Sequence, residues 1–202
     1  MKHNIVVVGS GLFGCIATTL ARANGHKVTV VSDEHPKAAS AASGCVLAPS
    51  WLTSLSKSQI DVAMGVLSDL YTVHELEFQT NLLKKFKAQR VDPGEVLLKG
   101  PDVRGHVTSV GDGFVKLDDG TKLRGKVLVA AGVWSEELIE GMPPMTGLYG
   151  ASLVVSGTLP EPKLQVYAPY RQAVAFQLGK GRVWFGEGTA IIQKTWLKSE
   201  KE

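Results

Sequence analysis

The sequence predicts an α/β fold that opens on a parallel strand–helix–strand unit and continues into a β-rich remainder. Three observations carry that reading. Ile5-Val6-Val7-Val8 is a short apolar run, mostly β-branched, as expected of a strand covered on both faces. Gly9, Gly11 and Gly14 follow at G-x-G-x-x-G spacing, and an apolar stretch of helical periodicity runs on through Ala21. Gly25-His26-Lys27-Val28-Thr29-Val30-Val31 supplies a second apolar strand, and the acidic Asp33 falls about 20 residues past the glycines.

Each glycine answers a separate need. Gly9 allows the tight turn from strand to helix, and Gly11 lets the backbone approach a pyrophosphate with no side chain between. Gly14 lets the helix pack closely on the strand. The turn around Leu12 and Phe13 then aims the first N–H groups of the helix, and its dipole, at the phosphates. Asp33, just past the second strand, stands where a ribose hydroxyl is held. The unit is Rossmann-like and its expected ligand is a dinucleotide.

A chain of 202 residues suffices for one large or two small domains with a proper core. The net charge of +3, with no run of Lys or Arg, argues against a nucleic-acid partner. The two cysteines, Cys15 and Cys45, lack C-x-x-C spacing, which points to a reducing compartment and no metal site. Lys2, the apolar run and Ala21-Arg22-Ala23 imitate a secretory signal, but the glycine spacing accounts for the same residues better. No stretch reaches the roughly 18 uninterrupted apolar residues of a membrane span. The expectation is a soluble, cytoplasmic protein with no membrane partner.

After Asp33, residues 36–43 are rich in Ala and Ser and lead into Gly44-Cys45-Val46-Leu47-Ala48-Pro49. Such small residues suit a backbone lying close against a flat ligand. From Ser56, the residues Ile60, Ala63, Met64, Leu67, Leu70, Tyr71 and His74 recur at helical steps. A strand is expected over Phe86 to Val91, a turn at Asp92-Pro93-Gly94 and a short strand over Glu95 to Lys99. Val103 to Val129 reads as a β-meander with a hairpin turn at Asp118-Asp119-Gly120-Thr121. It ends in an apolar run, Lys126 to Val129, expected to be a buried strand, followed by Ala130-Ala131-Gly132. Glu136 and Glu137 suit a helix start. Beyond a boundary at Gly141 to Thr146 lie four strand candidates: Leu148 to Ser156, Leu164 to Tyr167, Ala173 to Leu178 and Arg182 to Phe185. The tail from Gln193 to Glu202 is charged and reads as a helix start.

Three stretches resemble the FAD-dependent oxidoreductases of the D-amino-acid oxidase family, the group that includes glycine oxidase. They are Ile5 to Asp33, Ser40 to Pro49, and Asp118 to Leu138, above all Val127-Leu128-Val129-Ala130-Ala131-Gly132-Val133-Trp134-Ser135. The last is similar to the family's closing strand and turn, and it favours FAD over NAD. The resemblance implies FAD contacts at Gly9, Gly11, Leu12, Phe13, Gly14, Ser32, Asp33, Ser43, Gly44, Cys45, Val107, Ala130, Ala131, Gly132 and Trp134. It implies a discontinuous FAD-binding domain over residues 1–50 and 101–141, and a β-rich substrate or cap domain over 51–100 and 142–192. A charged tail over 193–202 follows.

The implied activity is oxidation of an amine or amino acid by hydride transfer to flavin. Family members carry a further C-terminal part with an arginine for the substrate carboxylate, so the expected architecture is C-terminally shortened. Tyr170 and Arg171 are the local candidates for that contact, although Arg171 reads more readily as a solvated strand-end residue. Cys45 reads as a small apolar filler, and His26 and His106 as solvated residues flanking strands. A non-catalytic flavin binder, a homo-oligomer, or a subunit completed by a partner chain remain as alternatives.

Overall fold

The computed structural model describes residues 1–35, 38–42, 45–47, 56–80, 85–91, 100–145, 147–159, 164–167, 173–177 and 181–192. The expected turn at Asp92-Pro93-Gly94, the strand over Glu95 to Lys99 and the tail from Gln193 lie outside them. In chain order the elements are β1 (Asn4–Val8), α1 (Leu12–Ala23), β2 (Lys27–Ser32), α2 (Ala39–Ala42), β3 (Val46–Leu47), α3 (Lys57–Leu70), β4 (Val73–Thr80), β5 (Lys85–Val91), β6 (Val103–Arg104), β7 (Val107–Gly111), β8 (Phe114–Leu117), β9 (Lys122–Arg124), β10 (Lys126–Val129), α4 (Ser135–Leu138), β11 (Gly147–Ser156), β12 (Leu164–Tyr167), β13 (Ala173–Gln177) and β14 (Arg182–Ile192). By contact the chain divides into two compact units, Met1–Ala41 with Gly94–Gly147, and Ala42–Pro93 with Leu148–Glu202.

The first unit has three layers. Its centre is a parallel sheet in the order β10-β1-β2-β6, with Ile5 opposite both Lys126 and Val28. Side chains alternate across β1, so one apolar run supplies two cores. Val7, with Val28 and Val30, packs with Ile5 and Ala21 on the side of α1. Val6 and Val8 join Val31, Val107, Val115 and Leu117 on the side of the antiparallel sheet β7-β8-β9. Burial on both faces is why β1 carries no polar residue after Asn4.

Two expectations are corrected here. The meander has three strands, because β6 and β10 pair in the parallel sheet instead. β10 is also not a buried strand: it lies at the sheet edge, and Lys126 and Leu128 are exposed. Composition registers the apolar face that β10 turns to the core but not its place in the strand order. The hairpin turn at Asp118 to Thr121 forms as expected, with the Thr121 N–H donating to Asp119 Oδ1 at 2.8 Å. That bond holds the Asp119 carboxyl below the ordinary carboxylate range.

The second unit is built on a seven-stranded sheet in the order β11-β14-β13-β12-β4-β5-β3. β12 runs parallel to β4, while β4–β5, β3–β5, β12–β13 and β13–β14 are antiparallel. Leu159, Ala175 and Val183 form a buried cluster in it, with Phe185 against them. α3 ends at Leu70, earlier than the apolar periodicity implied. Tyr71 has extended backbone (φ −140°, ψ 157°), and His74 lies in β4. β14 runs well beyond what the sequence pattern marked, and β4 forms where it marked no strand. Among the described residues no helix is long and apolar enough to cross a membrane.

Candidate functional site

The site forms where β1, β2 and β10 end, all three on the same edge of the parallel sheet. This is where an open α/β sheet binds its ligand. Gly9 follows β1 with φ +105°, a conformation L side chains rarely adopt, and its N–H donates to the Val31 carbonyl at 2.8 Å. A Cβ there would sit 2.4 Å from the Ala130 carbonyl oxygen. A Cβ on Gly14 would sit 1.9 Å from the Gly9 carbonyl oxygen. These two glycines therefore serve close packing of backbone on backbone, as their spacing predicts.

Gly11 differs. Its backbone is ordinary (φ −71°, ψ −176°), and among the described residues the only atoms a Cβ would meet within 4 Å belong to the Ser40 side chain. The missing side chain leaves room for a ligand. Gly11 is the N-cap of α1, a helix of 12 residues with no acidic residue in its first turn. With no acid in that turn, the helix N–H groups and dipole favour an anion at this end. The Leu12 N–H donates to Ser40 Oγ at 3.0 Å, so α2 places a hydroxyl against this helix start. Phe13 is 78% exposed beside it. Cys15 is buried on the sheet side of α1 and donates to the Ser10 carbonyl at 3.1 Å.

β10 returns to the same place. The Ala130 N–H donates to the Val8 carbonyl at 2.8 Å, and Ala131 closes a turn through the Trp134 N–H at 3.2 Å. Gly132 has φ +59°, which that turn requires. The structure thus brings Gly9, Gly11, Leu12, Gly14, Ala130, Ala131 and Gly132 together, although Gly9 and Ala130 are far apart in sequence.

At the end of β2, Asp33 Oδ1 accepts from the His35 N–H at 3.2 Å and Ser32 Oγ accepts from the Glu34 N–H at 3.1 Å. The His35 and Trp134 rings meet at 4.6 Å, tilted by 43°. Arg104 pairs with Glu34, and His106 Nδ1 lies 3.2 Å from Asp33 Oδ2. His106 keeps its side chain part-exposed in this contact, and the half-buried His26 has a partner too. His26 stacks on His3 and accepts its N–H at 3.2 Å. Ser40, His35 and His106 are the residues that sequence reasoning missed at this site. His106 and Asp33 lie 73 positions apart, so no local signal marks the pair.

The Val107 side chain is buried in the core, which leaves only its backbone to a ligand. Cys45 belongs to the second unit, with φ +52° and its carbonyl accepting the Val91 N–H at 3.1 Å. Ser43, Gly44, Tyr170 and Arg171 lie outside the described residues. Among the described residues no group of His, Cys, Asp and Glu is placed to hold a metal ion.

Strand, glycine turn and helix together define a Rossmann-like, dinucleotide-binding α/β fold. Residues 4–80 match the family model described as an FAD binding domain, which supports FAD as the cofactor. No curated protein matches the chain. Among solved structures, a mutant of 2-methyl-3-hydroxypyridine-5-carboxylic acid oxygenase is similar over all of this chain and 62% of its own, with a TM-score of 0.59 and 14% identity. The peptidyl tryptophan dihydroxylase QhpG is similar over 95% of this chain and 46% of its own (TM-score 0.53, 19% identity). HpxO of Klebsiella pneumoniae, complexed with FAD, is similar over 95% and 58% (TM-score 0.56, 16% identity). The chain thus spans less than two thirds of the length of these structures. They share its fold.

Proposed function

We propose that this chain is the FAD-holding portion of a flavin-dependent oxidoreductase acting on a small molecule. The observation that carries the reading is the clearance at Gly11. There the backbone has no side chain of its own, the Ser40 hydroxyl stands 3.1 Å from where a Cβ would be, and the helix N-terminus carries no acid in its first turn. Gly9, Gly11, Leu12 and Gly14 would hold the pyrophosphate, Asp33 the adenosine ribose, and Ala130 to Gly132 the returning face of the cofactor. Bound FAD would supply the two-electron oxidant. The chain's part is to fix the cofactor, orient it and set its electrostatics.

Two substrate classes are supported by different observations. The stretches Ser40 to Pro49 and Val127 to Ser135 resemble the D-amino-acid oxidase family and support an amine or amino acid. The similar solved structures include an oxygenase and a dihydroxylase, which supports hydroxylation as the second reading. The first experiment is an ultraviolet–visible spectrum of purified protein saturated with FAD, beside the Gly11→Val variant. The wild type is expected to retain flavin absorbance through gel filtration, and the variant to lose it, because a branched side chain fills the space the phosphates need. Absence of flavin from the wild type, or preference for NAD, overturns the reading. Peroxide release on glycine, sarcosine and D-amino acids, against substrate-dependent NADPH and oxygen consumption, then separates the two classes.

A further inference from the structure

The turn after β2 faces the chain segment between β6 and β7. Gly105 N–H donates to the Ser32 carbonyl at 3.1 Å, which fixes the two segments side by side. Glu34 takes a left-handed conformation at φ +52°, and Arg104 on the facing segment pairs with its carboxylate. Two residues on, His106 stands opposite Asp33 at 3.2 Å, both side chains part-exposed. A carboxylate only accepts, so His106 Nδ1 is the donor in this contact. Asp33 is therefore held at both oxygens, Oδ1 by the His35 N–H of its own turn and Oδ2 by the imidazole.

We propose that His106 is a positioning residue for cofactor binding: it fixes the Asp33 carboxylate in the orientation that receives the ribose hydroxyls of the adenosine half. The proposal rests on the FAD reading above. The physical reason is that an aspartate at an exposed strand end rotates about two side-chain bonds, and a ligand must stop that rotation at its own expense. A contact at each oxygen stops it beforehand. His106 then acts through Asp33 and touches no ligand, which makes the two residues thermodynamically coupled.

The test is a double-mutant cycle read as FAD dissociation constants, with the full chain as wild type, Asp33→Ala, His106→Ala, His106→Asn and the double alanine variant. Asp33→Ala is expected to weaken FAD binding by about ten- to a hundredfold, as loss of a charge-assisted hydrogen bond does. His106→Ala is expected to weaken it by about five- to tenfold in the wild-type background and by less than about twofold when Asp33 is already alanine. His106→Asn places an amide nitrogen near the Nδ1 position and is expected to recover most of the loss, which a merely structural role for the ring would not allow. Unchanged affinity in His106→Ala, or the same loss with and without Asp33, overturns the proposal while leaving the FAD reading intact. A wild type that binds no FAD overturns both.

Discussion

At the residue scale the three glycines of one motif do different physical work. Gly9 and Gly14 are spaces that backbone already fills, whereas at Gly11 the only described neighbour of an added Cβ is the Ser40 side chain. Gly14→Ala drives a methyl group against the Gly9 carbonyl, and neither the helix nor the turn has a flexible end that can yield. A loss of about 3 kcal/mol, the upper part of the range for forced overpacking, is expected in urea unfolding of the protein without cofactor. Gly11→Val is expected to act on cofactor binding far more than on that stability. The spacing of the glycines was legible in the sequence because the turn and the helix start are local. Ser40 at the Leu12 N–H was not, since its placement depends on a segment 28 residues away. Nor was His106, which the sequence shows only as a polar residue before a strand.

Among the elements, α3 and β10 mark what periodicity reveals and what it leaves out. The start of α3 is a capping box: Ser56 Oγ accepts from the Gln59 N–H at 3.3 Å, and Gln59 Oε1 accepts from the Ser56 N–H at 2.9 Å. Ser56→Ala is expected to cost about 1 kcal/mol. Gly65 lies inside the same helix, and among the described residues nothing comes within 4 Å of where an added methyl group would stand. Gly65→Ala is therefore expected to gain about 0.5–1 kcal/mol. The two variants measured together by thermal unfolding should shift in opposite directions. The helix was legible from its apolar spacing, but Tyr71 and His74 fall at helical steps while the chain has already gone extended, so its end was not. For β10 the apolar run identified a strand, and its alternation of half-buried and exposed residues appears only once its one neighbour among the described residues, β1, is known.

At the scale of the whole molecule, each unit carries its own buried clusters, with Val6, Val31 and Leu117 in one and Leu159 and Val183 in the other. A ligand of the first unit should therefore protect the first unit. FAD at about a hundred times its dissociation constant is worth about 2.7 kcal/mol. Amide exchange in β1, β2 and β10 that proceeds by opening of this unit should slow by about a hundredfold, while β12 and β13 are expected to keep their rates. Equal protection of both units would show that they open together. The parallel pairing of Ile5 with Lys126 also sets a clock on biosynthesis. When β1, α1 and β2 leave the ribosome, the strand that flanks β1 on its other side has not been made. At about 5–20 residues per second, roughly 5 to 19 s of translation pass before it arrives. During that interval the Val-rich edge of β1 is exposed in the nascent chain, a natural address for a chaperone, and the whole second-unit segment from Ala42 to Pro93 is synthesised inside the wait.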